Sequence, residues 1–474
     1  MKRAQSVSFI LGVLLSLPAS AQQPSSQKKN HSNDEIELEA IVVTGSRTEH
    51  SLSDAPVATE LITRKKIESS GAENVADILD KHPGIDLTRS FRGAGVRLQG
   101  LDAKHVLILL DGERVGGRID GVIDLSRISA ESIERIEIVK GPNSALYGSD
   151  AMGGVINIIT RRSKKTFEAD VHGSYGSLNA TDISARIGTR FAQWNTTFSG
   201  GWHQIDSFDL NLDDPATSGR KHAQWNISNR SEYNFGKSHR LIFNGSYLRR
   251  DQQGVDSNSA GAVYDRRNLT EVVSASLGPE LQLTKSAKLR VKAHYSLFRD
   301  QFIYDQRNAS ANDKDEETRE QLAQLTLQYD HLLFGNHLLT AGTEGMYEML
   351  SSPRLGGETG NRYRGAFFVQ DEWNILDDDT RLTLVFGGRF DLDSQFGFYP
   401  TPKIALRLDP VKKLTLRSSY GMGFRAPVFK ELLHEFENPG ANYVIEGNPE
   451  LEPEKSHSLN LGIEYRPVKP TQLT

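Results

Sequence analysis

From residue 166 onward the chain alternates apolar and polar residues with a period of two, in many successive segments. In one such segment Leu382, Leu384 and Phe386 share a face, and Arg381 and Thr383 hold the other. Because side chains along a strand point alternately to the two sides of a sheet, each segment is predicted to be a strand with one apolar and one polar face. Several segments end in aromatic residues, as the interfacial girdles of membrane barrels do: Tyr329, Phe390, Phe424 and Tyr465.

A soluble β-sandwich would alternate in the same way, and three features favour a membrane barrel over it. The strands recur through residues 166–474, an N-terminal export signal is present, and short turns alternate with long polar stretches such as 252–267 and 308–317. Those two stretches are predicted to be loops. Short turns on one side and long loops on the other are typical of outer-membrane barrels.

Residues 36–162 have a different pattern, which predicts a compact α+β unit. A short helix is expected over 74–80, ending before His82-Pro83-Gly84. Apolar strands are expected over 106–110, 133–139 and 155–160, with a helical turn at 144–147.

The first 21 residues predict a secretory signal peptide. Lys2 and Arg3 precede an apolar run over 7–17, and Ala19-Ser20-Ala21 is a small-residue cleavage pattern. The run is too short to span a bilayer. Residues 22–38 are mostly polar and are predicted to form a periplasmic tether.

Composition removes several classes of function. The chain of 474 residues has no cysteine, which excludes disulfide scaffolds, cysteine-ligated metals and thiol catalysis. With 56 basic and 61 acidic residues it has no surplus of positive charge, so nucleic acid is not an expected partner. No nucleophile–base cluster, metal site or cofactor motif stands out, and an enzyme is not expected. His434-Glu435 is followed by Asn438, so it is not a zincin motif.

A series of motifs runs along the chain in a fixed order. They are EAIVVTG at 39–45, ADIL at 76–79, PGI at 83–85, VRLQGL at 96–101, IERIEIVKGP at 133–142, ALYG at 145–148, GGVINIIT at 153–160, FRAP at 424–427 and NPEL at 448–451. Together they resemble the TonB-dependent outer-membrane receptors over essentially the whole mature length. One departure is Gln99, where the family usually has Arg before the glycine.

The resemblance implies a transmembrane antiparallel β-barrel of the 22-stranded type with an N-terminal α+β plug domain at 46–162. It implies a receptor in the outer membrane of a Gram-negative bacterium, surrounded by lipid, that imports a scarce ligand with energy delivered by TonB and, indirectly, ExbB and ExbD. The TonB box would comprise Glu39, Ala40, Ile41, Val42, Val43, Thr44 and Gly45. An extended apolar segment on a polar tether is suited to strand addition, although the same segment could instead pack as the first strand of the plug.

The ligand is expected to be a ferric siderophore first, haem second and cobalamin third. The predicted plug apices are 89–95 and 116–121, and a histidine lies between the FRAP and NPEL motifs, as in haem receptors of the family. The candidate ligand-binding residues are Arg89, Phe91, Arg92, Arg118, Asp120 and His434. A passive barrel or adhesin that keeps a vestigial plug is the alternative from another functional class.

The predicted barrel is incomplete. A spanning strand with its share of turn and loop takes about 20 residues, so 166–474 accommodates about 14 or 15 strands rather than 22. Because an open barrel leaves unpaired backbone groups in lipid, the chain is expected to be a fragment or a truncated product.

Overall fold

The computed structural model describes residues 40–465 except 91–92, 120, 142, 237, 259–260, 311, 358, 412 and 439–442. The predicted signal peptide (1–21) and tether (22–38) therefore lie outside the described residues. So do four of the predicted site residues: Glu39, Phe91, Arg92 and Asp120.

The N-terminal unit is α+β, as predicted. Its strands are β1 (Ile41–Val42), β2 (His50–Ser51), β3 (Thr59–Thr63), β4 (Ile85–Ser90), β5 (Gly93–Leu98), β6 (Val106–Leu110), β7 (Glu113–Arg114), β8 (Arg118–Ile119), β9 (Val122–Ile123), β10 (Ile133–Lys140) and β11 (Gly154–Thr160). Its helices are α1 (Arg64–Ser70), α2 (Val75–Asp80) and α3 (Ser144–Tyr147), with short 3-10 helices at Ala103–His105, Leu125–Arg127 and Ala130–Ser132. The helix, strands and helical turn predicted for this part of the chain are confirmed.

A mixed five-stranded sheet in the order β3-β10-β11-β6-β7 forms the centre of this unit, and only β11 and β6 pair in parallel. The side chains of Ile62, Leu98, Leu125, Ile136 and Ile156 are fully buried in its core. Side-chain caps set where the first two helices begin. The Thr63 hydroxyl accepts a hydrogen bond from the Lys66 N–H at α1, and the Asn74 side chain accepts one from the Asp77 N–H at α2.

The rest of the chain is dominated by long strands. They are β12 (Phe167–Tyr175), β13 (Thr181–Phe191), β14 (Trp194–Ile205), β15 (Lys221–Phe235), β16 (His239–Ser257), β17 (Val263–Gln282), β18 (Ala287–Gln306), β19 (Lys314–Leu333), β20 (His337–Ser351), β21 (Thr359–Asp377), β22 (Arg381–Asp393), β23 (Gly397–Val411), β24 (Leu414–Arg425), β25 (Glu435–Asn438), β26 (Tyr443–Glu446) and β27 (Glu454–Tyr465). Helix α4 (Phe429–Leu433) and 3-10 helices at Ser177–Asn179 and Pro353–Leu355 lie in the connections. Among the described residues, none of the helices is long and apolar enough to cross a bilayer.

Fourteen strands, β12 to β24 and β27, form one antiparallel sheet. Each strand from β12 to β23 pairs with the next in sequence, and β24 pairs with β27 because β25 and β26 form a separate hairpin. Within the described part of the chain no pairing joins β12 to β27, so this large sheet is open between its first and last strands. The strand count agrees with the prediction.

The two faces of the large sheet have the predicted polarity. On β23 the side chains of Thr401, Lys403 and Arg407 are buried toward the interior, whereas Ile404 and Leu406 are exposed on the outer face. Polar residues therefore line the inner face of the sheet, and apolar residues cover its outer face. This is the polarity of a barrel that stands in lipid.

Two details of the predicted strands are wrong. The stretch 252–267 is largely strand rather than loop, since β16 continues to Ser257 and β17 begins at Val263. The stretch 308–317 lies mostly in the connection between β18 and β19, as predicted, and only its last four residues belong to β19, which begins at Lys314. Polar side chains allow a hairpin to lie in water, but they do not end its strands. The backbone hydrogen bonds continue as long as a partner strand lies alongside. Strands of 20 residues exceed the roughly 9–11 that a bilayer requires, so they extend beyond the membrane.

The second error concerns Phe424, which was expected in an interfacial girdle. Tyr465 is 66% exposed, as a girdle residue should be, but Phe424 is only 2% exposed. Its ring stacks on Tyr399 with the centroids 5.2 Å apart. The N-terminal unit lies against this end of the strand, since the Phe424 carbonyl accepts a hydrogen bond from the Asp150 N–H at 3.1 Å, and the strand pattern alone does not reveal this contact.

Connections between the strands are unequal at the two ends of the large sheet. At one end every connection is short: 192–193, 236–238, 283–286, 334–336, 378–380 and 412–413. The longest ones, 206–220 and 426–453, both lie at the other end. In outer-membrane barrels the long loops are external, so this end is taken as the outer one.

Candidate ligand path and coupling segment

The segment predicted to be the TonB box is docked where the structure describes it, from Ala40 to Gly45. Val42 is buried, and β1 pairs with β2 through Ile41 and Ser51. The backbone N–H groups of Val43 and Thr44 both donate to Glu137 Oε2 at 2.9 Å. Of the two arrangements expected from the sequence, the structure contains the packed one.

Thr44 is the most tightly held residue of this segment. Its hydroxyl donates to Glu137 Oε2 at 2.7 Å and accepts from Asn157 Nδ2 at 3.0 Å. Its carbonyl accepts from the Tyr147 hydroxyl at 3.1 Å. Burial raises the pKa of Tyr147 to about 12, so this hydroxyl keeps its proton and remains a donor at neutral pH. Ile41, in contrast, is 53% exposed and accessible from solvent.

Arg47 extends the anchored segment to the large sheet. Its guanidinium lies between the rings of Tyr147 and Phe368, at 4.7 and 4.6 Å from their centroids, and 3.5 Å from Glu344 Oε2. Its carbonyl accepts a hydrogen bond from Arg290 Nη2 at 3.1 Å. The segment therefore has polar partners in both the N-terminal unit and the large sheet.

Arg118, a predicted ligand-binding residue, is held by Asp150. Asp150 Oδ2 lies 2.9 Å from Arg118 Nη1 and 3.1 Å from Arg114 Nη1. Burial alone would raise the pKa of Asp150, but the guanidinium groups of Arg118 and Arg114 outweigh it and hold that pKa well below its usual range. Because its side chain is 19% exposed, Arg118 faces a cavity while it remains ion-paired.

The predicted apex at 116–121 is anchored at its base. The Gly117 N–H donates to Glu320 Oε1 at 2.8 Å, and the Gly117 carbonyl accepts from Arg127 Nη2 at 2.8 Å. Gly117 has φ +82°, and a Cβ there would lie 2.3 Å from the Phe298 ring. A glycine is therefore required where this segment meets the large sheet.

The remaining candidates lie in separate places. Arg89, on the β4–β5 hairpin, is exposed and lies 3.2 Å from Asp80 Oδ2. His434 follows α4 and is buried, with its ring edge-on to Phe436 at 6.0 Å between centroids. A ligand role for His434 therefore stays a prediction, and in this structure its ring is buried between α4 and β25 rather than open to solvent.

Sequence reasoning did not identify a set of basic residues around the cavities between the N-terminal unit and the large sheet. One cavity of about 370 Å³ lies beside Ile41 and Val43. Four acidic side chains face it, Glu49, Asp111, Glu113 and Glu280, against seven basic ones: Arg47, Arg135, Arg162, Arg230, Arg240, Arg290 and Lys292. Its lining therefore carries a formal charge of +3, although the whole chain carries −5.

A second cavity, of about 70 Å³, lies beside Arg118 and the connection after β24. Its acidic residues are Asp150, Glu320 and Glu348, and its basic residues are Arg114, Arg118, Arg362, Arg364 and Lys430. The only sequence signal for either cavity was the inward face of the strands, which is rich in arginine. That signal does not say which charges meet.

Two family models match the chain, one for each part of the fold. The TonB-dependent Receptor Plug Domain matches residues 51–155, and the TonB dependent receptor-like beta-barrel matches residues 170–474. The chain belongs to the TonB-dependent receptor family. Receptors of this family are outer-membrane β-barrels that contain a plug, so the predicted family and fold class are confirmed. The family consists of transport receptors rather than enzymes.

Among its relatives, the receptor is 26% identical to the iron-regulated outer membrane virulence protein of Vibrio cholerae, over 97% of this chain and 69% of that protein. It is also 26% identical to the vitamin B12 transporter BtuB of Vibrio vulnificus, over 91% of this chain and 68% of that protein.

Solved structures share the fold at lower identity. The siderophore receptor PirA from Acinetobacter baumannii aligns with a TM-score of 0.71 at 19% identity, over 86% of this chain and 68% of that one. A mutant of the ferric enterobactin receptor PfeA from Pseudomonas aeruginosa aligns with a TM-score of 0.72 at 20% identity, over 90% and 71% of the two chains.

Proposed function

We propose that this TonB-dependent receptor imports an anionic iron chelate, a ferric siderophore, across the outer membrane. The observation that carries the proposal is the positive charge around the cavities between plug and barrel strands. A net formal charge of +3 around the cavity beside Ile41, and of +2 around the one beside Arg118, favours a negatively charged cargo. The iron-regulated relative supports a cargo that contains iron.

Cobalamin is the second candidate, because BtuB is equally similar in sequence to this receptor. The basic cavities favour the iron chelate, since cobalamin lacks a comparable negative charge. Haem follows, because the buried His434 offers no open imidazole to an incoming iron. Haemin is accordingly expected to give no Soret shift with this receptor.

In the proposed cycle, the cargo binds between the outer loops and the plug, and Arg118 faces it from the plug side. Binding loosens the segment 39–45, which acts as the TonB box. TonB then pairs with Ile41–Thr44 as an added strand and pulls on the plug. The proposal takes 46–162 as the plug, preceded by a signal peptide and a tether. A passive barrel with a vestigial plug would have no use for a releasable segment.

Charge-matched binding measurements test this function. The purified receptor is titrated with a ferric tris-catecholate and, in a separate experiment, with cobalamin. We expect binding of the anionic chelate alone, and Arg118→Gln should weaken it about 10-fold, the equivalent of one charge-assisted hydrogen bond. The matched control is Arg381→Gln, since Arg381 pairs with Asp54 at 2.8 Å outside both cavities. Cobalamin binding without chelate binding would reverse the assignment.

A further inference from the structure

Three side chains that no motif connects converge where the plug meets the first barrel strands. Glu73 lies between α1 and α2, Asp182 near the start of β13, and His203 near the end of β14. Asp182 and His203 are directly opposite each other in the strand pairing. All three lie at the end of the strands where the longest connections are.

The distances between their ligand atoms are those of a metal site. His203 Nδ1 lies 3.5 Å from Glu73 Oε2 and 3.5 Å from Asp182 Oδ2, and the three ligand atoms lie within 4.8 Å of one another. Around a tetrahedral Zn²⁺ with bonds of about 2.0–2.2 Å, neighbouring ligand atoms are roughly 3.4 Å apart. The site is thus already close to the size that an ion requires.

The nitrogen at the centre of this cluster lacks a well-formed hydrogen bond. His203 Nδ1 is buried from solvent and makes no well-formed hydrogen bond among the described residues, with the two carboxylate oxygens 3.5 Å away. Glu73 Oε2 and Asp182 Oδ2 both lie 3.5 Å from this nitrogen, so two carboxylates meet at one point and repel each other there. A cation between them would accept the lone pair of the nitrogen and neutralise the repulsion between the two carboxylates.

We propose that Glu73, Asp182 and His203 bind one divalent transition-metal ion, with Zn²⁺ as the best match. One imidazole and two carboxylates form a nitrogen–oxygen donor set that suits Zn²⁺, whereas Ca²⁺ needs six or more oxygens. Glu73 is 44% exposed in its side chain, which leaves a path for the ion and a fourth position for water. The His222 ring lies beside that of His203, tilted by 36° and with the ring centroids 5.2 Å apart.

Such an ion would join the plug to the barrel strands. Glu73 belongs to the plug, and the other two ligands belong to β13 and β14. Without an ion, His203 and Glu73 connect the plug to the barrel strands only through a weak ion pair, and a bound ion would make this connection stronger. This property is independent of the cargo that the receptor imports.

Cobalt substitution tests the site without reference to transport. The detergent-solubilised receptor, freed of metal by chelation, is titrated with Co²⁺, and we expect the intense visible absorption of tetrahedral cobalt, displaced by one equivalent of Zn²⁺ and not by Ca²⁺. His203→Ala should weaken Zn²⁺ binding by more than the roughly 10–100-fold that outer-shell substitutions cost.

Asp182→Asn and Glu73→Gln conserve shape and should each weaken binding as well, which guards against a misfolded histidine variant. His457→Ala is the matched control, because His457 bonds the Tyr420 hydroxyl at 2.8 Å on an exposed face. If wild-type receptor gives no cobalt spectrum, or if all three variants keep wild-type affinity, the cluster is an ion pair of His203 with two carboxylates and the proposal fails.

Discussion

Glu137 accepts two hydrogen bonds from Thr44, one from its backbone N–H at 2.9 Å and one from its hydroxyl at 2.7 Å. Both residues are fully buried, and 93 residues of chain separate them. Glu137 belongs to the IERIEIVKGP motif, and Thr44 belongs to the predicted TonB box at 39–45, here called the coupling segment. The plug strand β10 thus directly fixes the segment that we propose TonB binds.

Removing this carboxylate should release the coupling segment. Glu137→Ala leaves the N–H groups of Val43 and Thr44 without their acceptor, which costs about 1–3 kcal/mol for a buried donor. In a Val43→Cys background, the thiol should react with a maleimide at least about 10-fold faster, in line with that loss. Glu134→Ala is the control, because Glu134 lies on the same strand and accepts a hydrogen bond from Lys164 at an exposed position, away from the segment. Equal labelling rates in both variants would mean that other contacts hold the segment.

Val43→Pro should abolish energy-dependent uptake and spare binding of the cargo at the cell surface. Proline has no N–H and fixes φ, so it interrupts the strand that TonB is proposed to add to. Uptake and surface binding of a labelled ferric siderophore are measured in the same cells. Val43→Ala, which keeps the N–H, should retain uptake. A loss of surface binding together with uptake would assign the segment a structural role.

Leu384→Arg should block assembly into the membrane. Leu384 lies on the face of β22 that also carries the exposed Phe386. An arginine on the lipid face costs about 2–4 kcal/mol at the bilayer midplane. Heat-modifiable migration in unboiled gels reports assembly, and Leu384→Ala should assemble normally. Normal assembly of the arginine variant would show that this face does not meet lipid.

Two glycines with similar backbone angles should differ sharply in their tolerance of alanine. Gly117 has φ +82° and no room for a Cβ beside Phe298, whereas Gly100 has φ +78° with no atom within 4 Å of a Cβ. Gly100→Ala should cost about 1 kcal/mol from the backbone alone. Gly117→Ala should add about 1–3 kcal/mol of overpacking. Thermal unfolding in detergent compares them, and equal losses would contradict the close approach to Phe298.

Asp150 should stabilise the receptor in a pH-dependent manner. Its pKa is lower in the fold than in the unfolded chain, so its contribution is complete above pH about 4. That contribution is lost as the pH falls from there toward the depressed pKa. At pH 7, Asp150→Asn should destabilise by about 3–5 kcal/mol, because Arg114 and Arg118 lose a buried partner.

Unfolding of wild type and Asp150→Asn is followed from pH 7 to pH 3, and the difference in stability between the two should be constant at neutral pH and begin to shrink below pH about 4. Asp54→Asn serves as the control, since Asp54 pairs with Arg381 at an exposed site, where an ion pair contributes about 0–1 kcal/mol. A difference between wild type and Asp150→Asn that is constant with pH would show that the carboxylate is not the stabilising group.

For much of the candidate site, the sequence indicated only where the residues lie along the chain and not which residues they contact. The motif at 39–45 marked the coupling segment, because its apolar residues and the tether before it are local features. It left open whether the segment packs, since that depends on Glu137, Tyr147 and Asn157, which come from three other elements. His434 was predicted to contact the ligand because it lies between two motifs. The spacing of those motifs does not reveal that α4 and the β25–β26 hairpin form on either side of it.

Local patterns in the sequence determined the strands, their two faces and the family. An alternation with period two fixes which side chains share a face as soon as the strand forms, so Leu384 and Phe386 could be placed on the outside from the sequence alone. The tertiary structure decided which polar residues meet. Arg118 with Asp150, Thr44 with Glu137, and Glu73 with Asp182 and His203 are pairings between distant parts of the chain. They depend on how the plug lies inside the strands, and no local period encodes that.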